Sequence, residues 1–172
     1  MAIDKIQSES INLADNFAFT GTVTGAAANT PAFRAIIPSS ITFSSNANTK
    51  VPYSSETYDI GSCFDTSNYR FTVPSGQAGK YHFTALIRFY CSGDNASYIY
   101  TNFYKNGSDL DVQQWLQLTT NSTDTIRQAT IPYTVTMDLA VGDYIEIYGS
   151  MQGGGTLYMS AKSYFEGFKV LT

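Results

Sequence analysis

His82 is the chain's single histidine, and it sets the first limit on what chemistry is available. A serine-histidine-aspartate relay would have to run through it. It stands between Tyr81 and Phe83 in an alternating run with no nucleophile motif beside it, so the residues read as a strand with a structural histidine. Two carboxylates suffice in principle for glycoside hydrolysis. Asp109 and Asp111 are the closest pair, but side-by-side acids are commonplace in solvated loops. Gly153, Gly154 and Gly155 lack the lysine and following helix of a phosphate-cradling loop. The expectation is a protein that is not an enzyme. Calcium is a fairer reading, because Asp94, Asp109, Asp111 and Asp124 fall in polar segments and Ca²⁺ takes such oxygens. EF-hand spacing is absent, and no other cofactor is expected.

The elements that would position these residues are strands. From Cys63 to Leu86 the chain reads CFDTSNYRFTVPSGQAGKYHFTAL, two alternating runs around a Pro- and Gly-containing turn. Successive side chains on a pleated strand point to opposite faces, so such alternation marks a half-buried strand. Tyr81, Phe83, Ala85, Ile87 and Phe89 share one face of the run from Lys80 to Tyr90, and His82, Thr84, Leu86, Arg88 and Tyr90 share the other. Shorter strands are expected at 33–37, 41–43 and 50–53, the last at an edge because Pro52 cannot donate to a central ladder. Residues 97–105 alternate up to Asn106-Gly107, a strong hairpin signal. Trp115, Leu116 and Leu118 mark a further strand. Residues 130–139, 144–148 and 156–171 complete the set. Eight to ten short strands, turns every ten residues or so and no convincing helix after residue 30 predict an all-β antiparallel sandwich or barrel.

Composition agrees. Only 14% of the 172 residues are charged, against about 25% in ordinary soluble domains. The 13 Tyr and 11 Phe are strand formers. A net charge of −4 with scattered lysines and arginines offers no basic footprint for nucleic acid. No run approaches the ~20 apolar residues of a membrane span. The start has no apolar block behind a basic end, so no signal peptide is expected. Asn95, Asn106 and Asn121 each begin an N-x-S/T sequon, expected to be chance matches without a secretory route.

Cys63 and Cys91 sit symmetrically about Gln77. A hairpin through that turn would oppose them and permit a disulfide. A chain passing between sheets there would place them on layers about 10 Å apart. A reducing compartment favours free thiols. Residues 1–30 differ from the rest. Ile3, Ile6, Leu13 and Phe17 have loose helical spacing, Phe17, Phe19, Gly21 and Val23 alternate, and TGAAANTP closes the segment. It reads as an arm ahead of a head at 31–172.

That head resembles the globular head of complement component 1q, the tumour-necrosis-factor-like jelly roll, in its bacterial and phage branch. The matching pieces are PAFRAII from Pro31, YDIGSCFDTSNYRFTVP from Tyr58, GKYHF from Gly79, FYKNG from Phe103, LAVGDYIEI from Leu139 and SYFEGFKV from Ser163. They stand in the family's order and spacing. SGQA lengthens one turn, Ala85 replaces an aromatic, and Tyr69 stands where the family has glycine. The opening MAIDKIQSESINLADNFAFTGTVTG is similar to a leader of predicted structural proteins of marine bacteriophages.

The resemblance implies a two-sheet jelly roll and a homotrimer. Leu86 and Tyr90 on the nominally wet face of their strand supply a physical motive for self-contact, and His82 and Leu86 are the candidate contact residues. Relatives that bind calcium near the trimer apex keep that ion in view. Three identical tips would multiply weak contacts into avidity. The loops to examine for a ligand are 92–98, 109–115 and 119–125, with Asn95, Tyr98 and Trp115 as the residues, since Tyr and Asn suit adaptable contact. The function implied is a virion fibre or decoration head, assembled in the host cytoplasm. It would attach to other virion proteins through residues 1–30 and contact a host surface glycan or protein. The alternatives are a capsid-stabilising cement protein and a bacterial carbohydrate-binding module.

Overall fold

The computed structural model describes residues 31–93, 96–118 and 126–170. The arm expected over residues 1–30 lies outside them. The described residues form thirteen strands and no helix: β1 (Ala32–Ile36), β2 (Ile41–Phe43), β3 (Thr49–Lys50), β4 (Ser55–Ile60), β5 (Phe64–Asp65), β6 (Arg70–Thr72), β7 (Gly79–Cys91), β8 (Tyr98–Lys105), β9 (Ser108–Gln117), β10 (Gln128–Leu139), β11 (Tyr144–Gln152), β12 (Leu157–Met159) and β13 (Tyr164–Lys169). All pairings are antiparallel. The larger sheet runs β2-β12-β7-β13-β1-β4, with β10 on the far side of β7; the smaller runs β5-β6-β11-β8-β9, with β3 also on β11. Two sheets face to face over one core give the jelly-roll sandwich expected from the sequence.

The alternation in β7 does what its chemistry requires. Tyr81, Phe83, Ala85, Ile87, Phe89 and Cys91 are buried between the sheets, while His82, Thr84, Leu86, Arg88 and Tyr90 face outward. Phe33, Phe83 and Phe165 from the larger sheet meet Phe64, Phe71 and Phe103 from the smaller one. Phe33 lies with ring centroids 4.9 Å from Phe64 and 5.4 Å from Phe71, and Phe83 lies 5.1 Å from Phe71. Phe83 fits because its neighbour across the ladder is Gly167. A Cβ built on Gly167 would stand 2.3 Å from the Phe83 ring.

Three parts of the sequence reading are corrected. Residues 63–73 are not one strand: Asp65 Oδ1 accepts from the amides of Ser67 (2.8 Å) and Asn68 (3.0 Å), and this Asx turn separates β5 from β6. Tyr69 closes the turn at φ +51°, holding the left-handed conformation that glycine takes more cheaply. Residues 156–171 likewise divide into β12 and β13 at a turn closed by Ser163 N on Ser160 O (3.0 Å). An unforeseen strand, β4, covers the edge of β1. The turn after β6 carries the chain from the smaller sheet to the larger one, so Cys63 and Cys91 are separate, buried thiols and form no disulfide with each other. Cys63 is kept protonated, its pKa driven up by burial and by its hydrogen bond to Asp59.

Two turns interlock at one end of the smaller sheet. Asp143 accepts from Ala140 N (2.8 Å) and Asn106 Nδ2 (2.7 Å) and pairs with Lys105 Nζ (2.7 Å). Asn106 Oδ1 in return accepts from Tyr144 N (2.9 Å). The Asn-Gly hairpin of β8–β9 is thereby tied to the Val141-Gly142-Asp143 turn of β10–β11. These bonds, the Lys105 one foremost, hold the Asp143 carboxyl down at about 2.

Gly167→Ala is expected to cost about 1–3 kcal/mol, as overpacking does, with the urea midpoint as readout, while Thr134→Ala on the exposed outer face should stay within about 0.5 kcal/mol. Asp143 supplies stability that is complete above its unfolded-state pKa near 3.8 and is lost as pH falls toward its folded value of about 2. The stability gap between wild type and Asp143→Asn should therefore narrow between pH 5 and pH 2, by roughly the span of those pKa values. Thermal midpoints across that range check it; a constant gap would refute it.

Candidate functional site

The outer face of the smaller sheet is built from alternate residues of β8. Ile99, Thr101 and Phe103 turn inward, Tyr98, Tyr100 and Tyr104 turn outward, and Asn102, in the tyrosines' phase, is fully buried. The Asn106-Gly107 turn folds β9 back beside them, with Trp115 opposite Tyr100. The Trp115 ring lies 5.0 Å from that of Tyr98 and 6.2 Å from that of Tyr100, with interplanar angles of 32° and 24°. Trp115 remains 53% exposed. The loop between β2 and β3 fixes the tyrosines: the Tyr98 hydroxyl donates to Asn46 Oδ1 (2.7 Å), and Asn48 Nδ2 donates to the Tyr104 hydroxyl (2.6 Å). Tyr104 in turn packs on Tyr148 at 4.1 Å. Burial raises the phenol pKa of Tyr100, Tyr104 and Tyr148, so near neutral pH they are uncharged hydrogen-bonding groups. Beside them Lys50 pairs with the nearly buried Glu146. This face offers ring surfaces and neutral polar groups, which suits contact and stacking.

Tyr98 and Trp115 were expected in two separate loops. The structure brings them together on adjacent strands, and Asp109–Trp115 is strand rather than loop. The register shifts between Asn102 and Tyr104, where Asn102 faces Gln113 but Tyr104 faces Asp109. The two extra residues of β9 preserve the alternation, so Trp115 keeps the outward face. Asp111 takes φ +55° there, and Asp109 Oδ1 accepts from Asp111 N and from Asn102 Nδ2, each at 2.7 Å. The sequence-predicted pair thus has a structural role at the bulge, Asp109 through its carboxylate and Asp111 through its backbone. No group of three His, Cys, Asp or Glu among the described residues is placed to hold a metal ion. Asp94, Asn95 and Asp124 lie outside the described residues. Tyr100, which sequence reasoning passed over, shares the phase of Tyr98 in the 97–105 alternation.

The opposite outer face, on the larger sheet, carries His82 and Leu86. Rows of residues run across the strands in register. Ile60 faces Ala32, Ala32 faces Phe168, Phe168 faces His82 and His82 faces Thr136. His82 Nδ1 is 3.0 Å from Thr136 Oγ1, and its ring is 5.5 Å from Phe168. Leu86 sits between Tyr164 and Pro132. Ile60 (51%), Tyr58 (43%) and Phe168 (42%) are large, apolar and exposed together with them. Sequence reasoning missed these three, because β4 was not foreseen and the β13 register was unknown.

No family model and no curated protein matches the chain. Among solved structures it is similar to the globular domain of the zebrafish complement 1qA protein, at a TM-score of 0.59 and 14% identity, over 83% of this chain and 98% of that one. The fold is the complement 1q-like jelly roll. At that identity the likeness concerns architecture alone.

Trp115→Ala should shift the urea midpoint by no more than about 1 kcal/mol, the scale of a cross-strand aromatic pair. A loss above ~3 kcal/mol, the scale of a buried aromatic truncation, would show that the ring is core rather than available surface.

Proposed function

We propose that this chain is a non-enzymatic recognition head that works as a homotrimer on a bacteriophage particle, as a fibre tip or decoration subunit. The observation that carries the reading is the exposed apolar row of the larger sheet, Ile60, Phe168 and Tyr58 beside His82. Three large side chains left in water on one face favour a second copy as their cover. Such a contact leaves the aromatic face of the smaller sheet pointing away, one per subunit, and linked weak sites gain in avidity. The jelly-roll fold supports self-association by its likeness to the complement 1q head, and the resemblance of residues 1–25 to a phage structural leader supports attachment to other virion proteins through the arm. Contact with a host surface, rather than packing alone, is supported by the Tyr98–Tyr100–Trp115 cluster. The same cluster favours a second reading, a bacterial carbohydrate-binding module, in which the head works off a particle.

Light scattering on the full chain should give three times the chain mass, and Phe168→Glu or Ile60→Glu should return it to the monomer with a far-ultraviolet spectrum still of β type. A wild-type monomer at micromolar concentration would overturn the trimeric head. Antibody labelling of particles would then separate the two readings by presence or absence of the head.

A further inference from the structure

The larger sheet's outer face changes character along β7. Arg88 lies six residues from His82, about 20 Å at ~3.3 Å per residue. There the surface dips into a groove formed by two adjoining hollows, of about 390 and 500 Å³, that share Arg88 and Gln128. One side is walled by Tyr90 and Tyr158, opposite one another on β7 and β12 with rings 5.6 Å apart. Lys162, from the turn between β12 and β13, closes the other.

Not every described cation meets a carboxylate: Lys169 donates to Gln77 Oε1 (3.2 Å), and Arg88 in this groove is likewise held by a neutral group. Arg34, Lys50, Lys80 and Lys105 each stand against a carboxylate. Arg88 instead donates from Nη2 to Gln128 Oε1 at 2.7 Å, a neutral acceptor that orients the guanidinium without neutralising it. None of the described residues lining either hollow is acidic. Two cations therefore converge on a concavity in a protein whose net charge is −4. A guanidinium fork matches a carboxylate in two parallel hydrogen bonds, and an ammonium adds a point charge. Beside them are aromatic faces, for the apolar face of a pyranose, and the hydroxyls of Tyr158 and Ser160, for its own hydroxyls. Ligand sites combine a cavity of this size with a few convergent polar groups in this way.

We propose that the groove binds an acidic saccharide unit, with its carboxylate on Arg88 and Lys162 and its ring against Tyr90 and Tyr158. The proposal goes beyond the recognition reading above, which places contact on the smaller sheet, and assigns a second, separate ligand site to the larger one. Phosphate or sulfate alone would satisfy the cations but leave the tyrosine wall without a role.

The test compares methyl glucuronide with methyl glucoside, which differ at the carboxylate, by NMR titration of the full chain. The glucuronide should bind at least tenfold more tightly. Arg88→Gln should weaken it tenfold or more and Lys162→Gln severalfold, both with unchanged urea midpoints, and Tyr158→Ala severalfold. Equal binding of the two sugars, or an Arg88→Gln protein that binds as wild type does, overturns the proposal. Inorganic sulfate competing as strongly as the glucuronide, with Tyr158→Ala without effect, overturns the saccharide assignment. Parallel light scattering separates this result from the recognition reading. A trimer that ignores the glucuronide sinks the groove alone. A monomer that binds it sinks the trimeric head and keeps the groove.

Discussion

The contact on which the rest of the sandwich depends is the Phe83 ring laid over Gly167. Phe83 sits in the central strand of the larger sheet and touches both layers: Phe165 and Phe33 on its own side, Phe71 and Phe103 on the other. Its position exists because the adjacent strand presents no side chain there. That vacancy sets the β7–β13 register, since a one-residue slip would exchange every inward for an outward side chain. The register in turn lines up Phe168 with His82 and Glu166 with Thr84, and so composes the outer face. An interior packing choice thereby determines which residues the surface can offer.

The two faces differ in what they ask of a partner. The larger sheet combines an apolar row at one end with a cationic, tyrosine-walled groove at the other, and Leu86 lies between them. The smaller sheet presents aromatic rings held by asparagine hydrogen bonds, with the Lys50–Glu146 ion pair beside them. Ring orientation fixed before contact lowers the entropy lost on binding. Burial holds the phenols of Tyr100, Tyr104 and Tyr148 uncharged, and burial with a hydrogen bond to Asp59 keeps the Cys63 thiol protonated.

Much of the fold was legible in the sequence because alternation is a local signal. The long strands β7, β8, β10 and β11 stand close to where their periodicity put them. Two kinds of feature were not. β4, SETYDI, is exposed at four of its six positions and so shows no apolar alternation, β5 has only two residues, and the Asx turn at Asp65 wins over the strand propensity of the residues around it. The candidate site was half visible. Tyr98, Trp115, His82 and Leu86 could be named, but which of them share a face depends on a two-residue bulge in β9 and on cross-strand pairing. Neither is written in spacing along the chain. Arg88 was on the outward list from the start. Its meaning came only with Gln128, Tyr158 and Lys162, which reach it from three other segments.

Pro132 stands at the middle of β10, whose only partner among the described strands is β7. A proline brings no N–H to a ladder, so the open flank of β10 is a poor template for another strand. Growth of the sheet by lateral addition, the route to fibrous aggregates, is thus discouraged at the edge nearest the working surface. With that flank discouraged, the outer faces of the two sheets are the broad surfaces left for contact.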